Sequence, residues 1–134
     1  MVSFGYCVLV KHLEQSESAA EPALKYFDHW SKKEYQASAR YLDDNLSFKG
    51  PIDTFNNSKE YLQTLSRLGT IVTEVRRKKT FVDGKDALFV YDLVTTVAGA
   101  TPCAEWIHSD HGKVKSIQVF FDARPFAAMF AHKQ

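Results

Sequence analysis

Apolar positions change their period once along this chain. Up to Gly69 they recur mostly at spacings of three and four, and from Thr70 onward they alternate, so helices dominate the first half and strands the second. Glu21 and Pro22 open the first helix, where an acid suits the positive end and proline loses no hydrogen bond. Leu24, Phe27 and Trp30 form its apolar stripe, flanked by Tyr26 and His29. Tyr35, Ala39 and Leu42 predict a short second helix over 33–42. Asn45 to Lys49 reads as a strand stopped by Gly50 and Pro51, and residues 52–57 as loop. Asn57 or Ser58 caps a third helix carrying Tyr61, Leu65 and Leu68 on one face, with Gly69 as its stop.

Four strands follow, at 71–82, 87–97, 103–109 and 114–121, joined by Asp83-Gly84-Lys85, Ala98-Gly99-Ala100 and Asp110-His111-Gly112. An antiparallel meander cannot bury its apolar face alone, so the helices must cover it. The predicted class is α+β: a curved mixed or antiparallel sheet wrapped around three N-terminal helices. Residues 20–127 form one domain. Residues 1–19 are an extension, read as an added strand over 2–10 with a polar connector or as a flexible leader, and 128–134 are a tail. The basic run Arg76-Arg77-Lys78-Lys79 falls within a strand and reads as a solvated or edge strand.

The hairpin over 101–126 concentrates the candidate chemistry. Glu105 sits inside an apolar strand, and a carboxylate facing a core is costly unless protonated or hydrogen-bonded. Its facing depends on the turn, because a one-residue slip sends every side chain to the other face. A two-residue His111-Gly112 turn pairs Glu105 with Gln118 and groups it with Phe120 and Asp122. A three-residue loop pairs it with Ile117 and gathers Cys103, Ile107, Ile117, Val119 and Phe121 around it. The second is preferred, since it leaves one acid on an apolar face. The opposite face then carries Trp106, His108, Gln118 and Phe120, which predicts a homodimer through the sheet.

Composition narrows the function classes. The 134 residues hold 17 Lys plus Arg against 16 Asp plus Glu, a net charge of +1, so no global field recruits nucleic acid or an anionic membrane. Cys7 and Cys103 make no metal-ligand pattern with the five histidines, and read as free thiols in a reducing, cytoplasmic setting. The N-terminal apolar run has no basic leader and is too short to span a bilayer.

ALKYFDHW, the ARYLDDNLSFKGPIDTF run into a helix, and the EWIHSDHGKVKSIQVFFDARPF ending occur in an order that resembles the nuclear-transport-factor-2-like (NTF2-like) cone fold, in its ketosteroid-isomerase-like and SnoaL-like, polyketide-cyclase-like branches. The resemblance spans about Pro22 to Phe126 and implies a small apolar ligand, no cofactor and no metal. It places the oxyanion tyrosine of the isomerases on Tyr26 and their protonated late-strand acid on Glu105, with the hairpin loop one residue shorter. The base position falls on Gly50, which has no acid–base chemistry, and Asp53 lies three residues on. The polyketide-cyclase branch implies Asp122 as base; the alternative for Asp122 is an Asx turn accepting the Arg124 N–H. The implied pocket is walled by Trp30, Phe55, Tyr61, Leu65, Ile107, Val119 and Phe121. The expected function is acid–base isomerisation or cyclisation of a small apolar carbonyl compound, with a non-catalytic binding module as the alternative.

Overall fold

The computed structural model describes residues 19–130, so the strand expected over 2–10 lies outside the described residues. Helix α1 (19–31) buries Ala23, Tyr26, Phe27 and Trp30 along one stripe. Helix α2 (Tyr35–Ala39) is shorter than the predicted 33–42. Lys33 takes a left-handed backbone (φ 63), which interrupts the helix on one side. On the other side Leu42 is taken by strand β1 (Leu42–Lys49), where it pairs with Val114.

A two-residue strand β2 (Thr54–Phe55) lies in the stretch expected to be loop and pairs Phe48 with Phe55. Helix α3 (Ser58–Leu68) starts as its sequence predicts: Asn57 Oδ1 accepts the Glu60 N–H at 2.9 Å. Gly69 follows the helix with a right-handed backbone (φ −56), so it does not serve as the left-handed stop that was expected. It is needed for space, because a Cβ there would collide with the Tyr35 hydroxyl.

Strands β3 (Val72–Asp83), β4 (Asp86–Thr95), β5 (Gly99–Asp110) and β6 (Lys113–Phe120) form the antiparallel meander. The six-stranded sheet runs β2-β1-β6-β5-β4-β3, mixed because β1 joins β6 in parallel. Among the described residues β3 is one edge of this sheet, and it carries the basic run. Arg77 pairs with Asp28 at 2.6 Å and its guanidinium carbon lies 4.8 Å from the centre of the Phe27 ring. A 3-10 turn (Arg124–Phe126) and helix α4 (Ala127–Phe130) close the described chain.

The hairpin turn differs from the preferred reading. His111 and Gly112 both have positive φ (51 and 77), which makes a two-residue turn with Asp110 opposite Lys113. The ladder then shifts between Ser109 and His108, leaving Lys115 as an extra residue, so Glu105 faces Val119 rather than Ile117 or Gln118. That shift restores the parity the short turn would have reversed. Thr101, Cys103, Glu105, Ile107 and Ser109 are therefore buried together on the concave face, while Trp106 and Phe120 are each 48% exposed on the other. Phe27 from α1 stacks on Phe89 of β4 at 4.1 Å between ring centres, which fixes the helix layer against this concave face.

Candidate functional site

Between the helices and the concave face lies a cavity of about 250 Å3. Trp30, Phe55, Tyr61, Leu65, Val119 and Phe121 lie in its wall. Ile107 does not; it is fully buried opposite Ile117, where it fills the core between strands. Phe126 and Met129, from the turn and helix that follow the sheet, form a wall that the alternation of the strands did not reveal.

Glu105 is 2% exposed and belongs to the cavity wall. Tyr91 pairs with Cys103 across β4 and β5, and Glu105 pairs with Phe89, so Tyr91 and Glu105 are diagonal neighbours on one face. From there the Tyr91 hydroxyl donates to Glu105 Oε1 at 2.8 Å. Glu105 Oε2 is buried and has no hydrogen-bond partner among the described residues. Burial pushes the carboxyl up to about 7, although the Tyr91 hydrogen bond pulls the other way. The acid is thus poised between neutral and charged forms near neutral pH.

Tyr26, Tyr61 and Tyr91 all titrate well above the ordinary tyrosine range, because burial disfavours their anions. The Tyr26 and Tyr61 hydroxyls hydrogen-bond to each other. Tyr61 stands in the cavity wall, whereas Tyr26 is fully buried and outside it. The described structure therefore gives Glu105 a different phenol, Tyr91, from the one the resemblance supplied.

The remaining carboxylates separate by position. Asp53 lies in the cavity wall beside Gly50, whose N–H donates to the Asp53 carbonyl oxygen at 2.9 Å. A Cβ on Gly50 would approach the Phe48 ring at 3.3 Å, so that position is tight as well as chemically bare. Asp122 lies outside the cavity wall. Its Oδ1 accepts the Arg124 N–H at 3.0 Å, and the Arg124 guanidinium holds its carboxyl down to about 2. Asp122 is thus the Asx-turn residue of the alternative reading, because the strand ends before it and it turns outward with Arg124. Asp92 points outward too and pairs with Lys78 at 3.0 Å.

Cys103 is in the wall, but burial pushes its thiol up to about 12, which makes it a poor nucleophile. His29 is bound to Glu34 and His108 to Asp86, both away from the cavity. Among the described residues no three His, Cys, Asp or Glu side chains gather to hold a metal ion, and no helix is long and apolar enough to cross a membrane.

No protein-family model and no curated protein sequence matches this chain. Solved structures do. A protein of Kribbella flavida DSM 17836 aligns with TM-score 0.78 at 20% identity over 88% of this chain and 98% of its own. An NTF2-like protein of unknown function from Cytophaga hutchinsonii ATCC 33406 aligns with TM-score 0.70 at 21% identity, over 81% and 94% of the two chains. The chain has the NTF2-like fold. Within that NTF2-like set, a ketosteroid-isomerase-like protein of Kribbella flavida DSM 17836 aligns with TM-score 0.70 at 16% identity over 81% and 80%. A SnoaL-like polyketide-cyclase-like protein of Shewanella denitrificans OS-217 and an LEH-like epoxide hydrolase of M. tuberculosis share the NTF2-like fold too, each with TM-score 0.67.

Proposed function

We propose that this protein is an acid–base catalyst for a small apolar carbonyl compound, an isomerase or cyclase that needs no cofactor for its chemistry. The observation that carries this reading is Glu105: a buried carboxyl in the wall of an apolar cavity, with one oxygen held by Tyr91 and the other unpartnered among the described residues. In its neutral form the carboxyl is a hydrogen-bond donor inside a low-dielectric site, where stabilising a developing oxyanion is worth most. Asp53, in the same cavity wall, takes the proton from the carbon next to the carbonyl. The C–H electron pair then forms the enolate, whose oxygen accepts from Glu105, and Asp53 returns the proton to a different carbon. The isomerase-like and cyclase-like neighbours support chemistry of this class on this fold.

A second reading has its own observation. Gly50 leaves the expected base position empty of chemistry, which favours a module that binds a hydrophobic ligand without turning it over. The two separate in one experiment: hydrogen–deuterium exchange at the carbons next to the carbonyl, followed by NMR for a panel of cyclic ketones and enones. Catalysis predicts protein-dependent exchange that is lost in Glu105→Leu, which has no hydrogen to donate. Tight binding with no exchange establishes the binding module instead.

For the outer sheet face we propose a second copy of the chain as partner. Trp106 and Phe120 present half their surface there, and such aromatic area is characteristic of an interface core.

A further inference from the structure

The chain has two tryptophans, at 30 and 106, and their indole nitrogens are treated differently. On the outer face Trp106 is half exposed, yet its Nε1 donates to Asp86 Oδ1 at 2.9 Å. Trp30 is 5% exposed, its Nε1 is buried, and that nitrogen has no acceptor among the described residues. A buried indole N–H ordinarily finds a partner, and leaving a donor unmet costs about 1–3 kcal/mol. Trp30 is also a residue of the cavity wall, and its ring meets Tyr91 edge-on at 5.8 Å between centres. It therefore stands beside Tyr91, which holds Glu105, and Glu105 Oε2 is the other buried side-chain atom of the wall without a partner among the described residues.

Trp30 Nε1 can only donate. Tyr91 spends its hydrogen on Glu105 Oε1, so the neutral carboxyl carries its proton on Oε2 and donates from there. One hydroxyl of the Tyr26–Tyr61 pair uses its hydrogen on the other, which leaves one hydrogen more. The Cys103 thiol is turned to the Thr101 carbonyl oxygen at 3.5 Å. Two of these hydrogens, on Trp30 and on the Glu105 carboxyl, have no acceptor among the described residues, and they belong to different residues around one apolar space.

We propose that Trp30 is a ligand-recognition residue whose indole N–H donates to an acceptor oxygen held next to Glu105, so that the cavity selects oxygens bearing no hydrogen, those of ketones, quinones and enolates, on a flat apolar body. An alcohol or amine in the same place brings a hydrogen of its own to a point where two donors already converge, and is disfavoured. This rests on the reading of the cavity as a ligand site, and it adds a specificity determinant that the acid–base reading does not require.

The test uses three bicyclic probes of one shape, 1-tetralone, 1-tetralol and tetralin, below the pH at which Glu105 ionises. The protein carries 15N-labelled indoles, so two Nε1–H resonances report, and Trp106→Phe assigns them. Tetralone is expected to move the Trp30 resonance downfield and leave that of Trp106 in place, with tetralin binding without that displacement and tetralol binding more weakly than tetralone. Trp30→Phe is expected to weaken tetralone about fivefold to tenfold, the worth of one hydrogen bond, and to change tetralin less than about twofold. Tetralone binding with the Trp30 resonance unmoved overturns the proposal while leaving the ligand site intact, and so does an equal loss of tetralone and tetralin in Trp30→Phe. If none of the three binds, the ligand-site reading falls and this inference falls with it. The resonance measurement on the unaltered protein decides the matter even where Trp30→Phe folds poorly.

Discussion

The Tyr91 hydroxyl donates to Glu105 Oε1 at 2.8 Å across two neighbouring strands, and this one contact organises the buried acid. Burial raises the carboxyl to about 7 from an ordinary value near 4.5, and Tyr91 is the contact that favours its charged form. Both facts translate into measurable behaviour.

Stability should fall with pH because of Glu105. Between about 4.5 and about 7 the native protein keeps a proton that the unfolded chain has released, so unfolding becomes easier as pH rises through that window. Above it both states are ionised and the loss stops growing. At about 1.4 kcal/mol per pH unit the loss is on the order of 3 kcal/mol. Urea titrations across this range should show the decline in the unaltered protein and a flatter profile in Glu105→Gln. Parallel profiles would show that Glu105 is not a buried titrating acid.

Tyr91→Phe keeps the ring and removes only the donor. The Glu105 midpoint should then move further upward, since the contact that stabilises its anion is gone, and folding stability should drop by about 1–2 kcal/mol as Oε1 loses its partner. The titration of the Glu105 carboxyl carbon by NMR checks the first, and chemical denaturation the second. A downward move of the midpoint would contradict the assignment of the hydrogen bond.

Asp53 and Asp122 should part company. If the acid–base reading holds, Asp53→Asn lowers turnover by about 100-fold or more, the usual scale for removing a base. Asp122→Asn changes it less than about twofold, because Asp122 is exposed, bound to Arg124 and outside the cavity wall. Exchange rates in the two variants, measured on one ketone, give the comparison.

Gly69→Ala should destabilise although the backbone there suits alanine. The added methyl meets the Tyr35 hydroxyl and ring, and overpacking of this kind costs about 1–3 kcal/mol. In a Tyr35→Ala background the same change should be neutral or mildly stabilising, as expected for alanine over glycine in right-handed backbone. A double-mutant cycle by thermal denaturation would show the coupling.

Sedimentation velocity at micromolar concentration should give a dimer, and Trp106→Glu should shift it to monomer with the fold unchanged by circular dichroism. A monomer from the start would remove the second copy as the partner of the outer face.

The chain's own pattern determined the fold class, the order of the three helices and the four meander strands, the Asn57 cap and the strand that carries the basic run. These depend on period, on turn residues and on local hydrogen bonds, which neighbours in sequence supply. The facing of Glu105 was legible too, but for an incomplete reason: the turn at His111-Gly112 is a residue shorter than preferred, and the extra residue at Lys115 restores the parity. Tertiary structure alone decided the rest. Tyr91 meets Glu105 because the register of β4 on β5 sets which side chains are diagonal neighbours, and that register is a property of a different hairpin. Tyr26 sits behind Tyr61, and Asp122 turns outward with Arg124, because helix packing and the end of the sheet place them there. Which oxygen of a buried acid stays unpartnered is decided by every element around it, and so it is written in the packing of the helices on the sheet rather than in any single stretch of the chain.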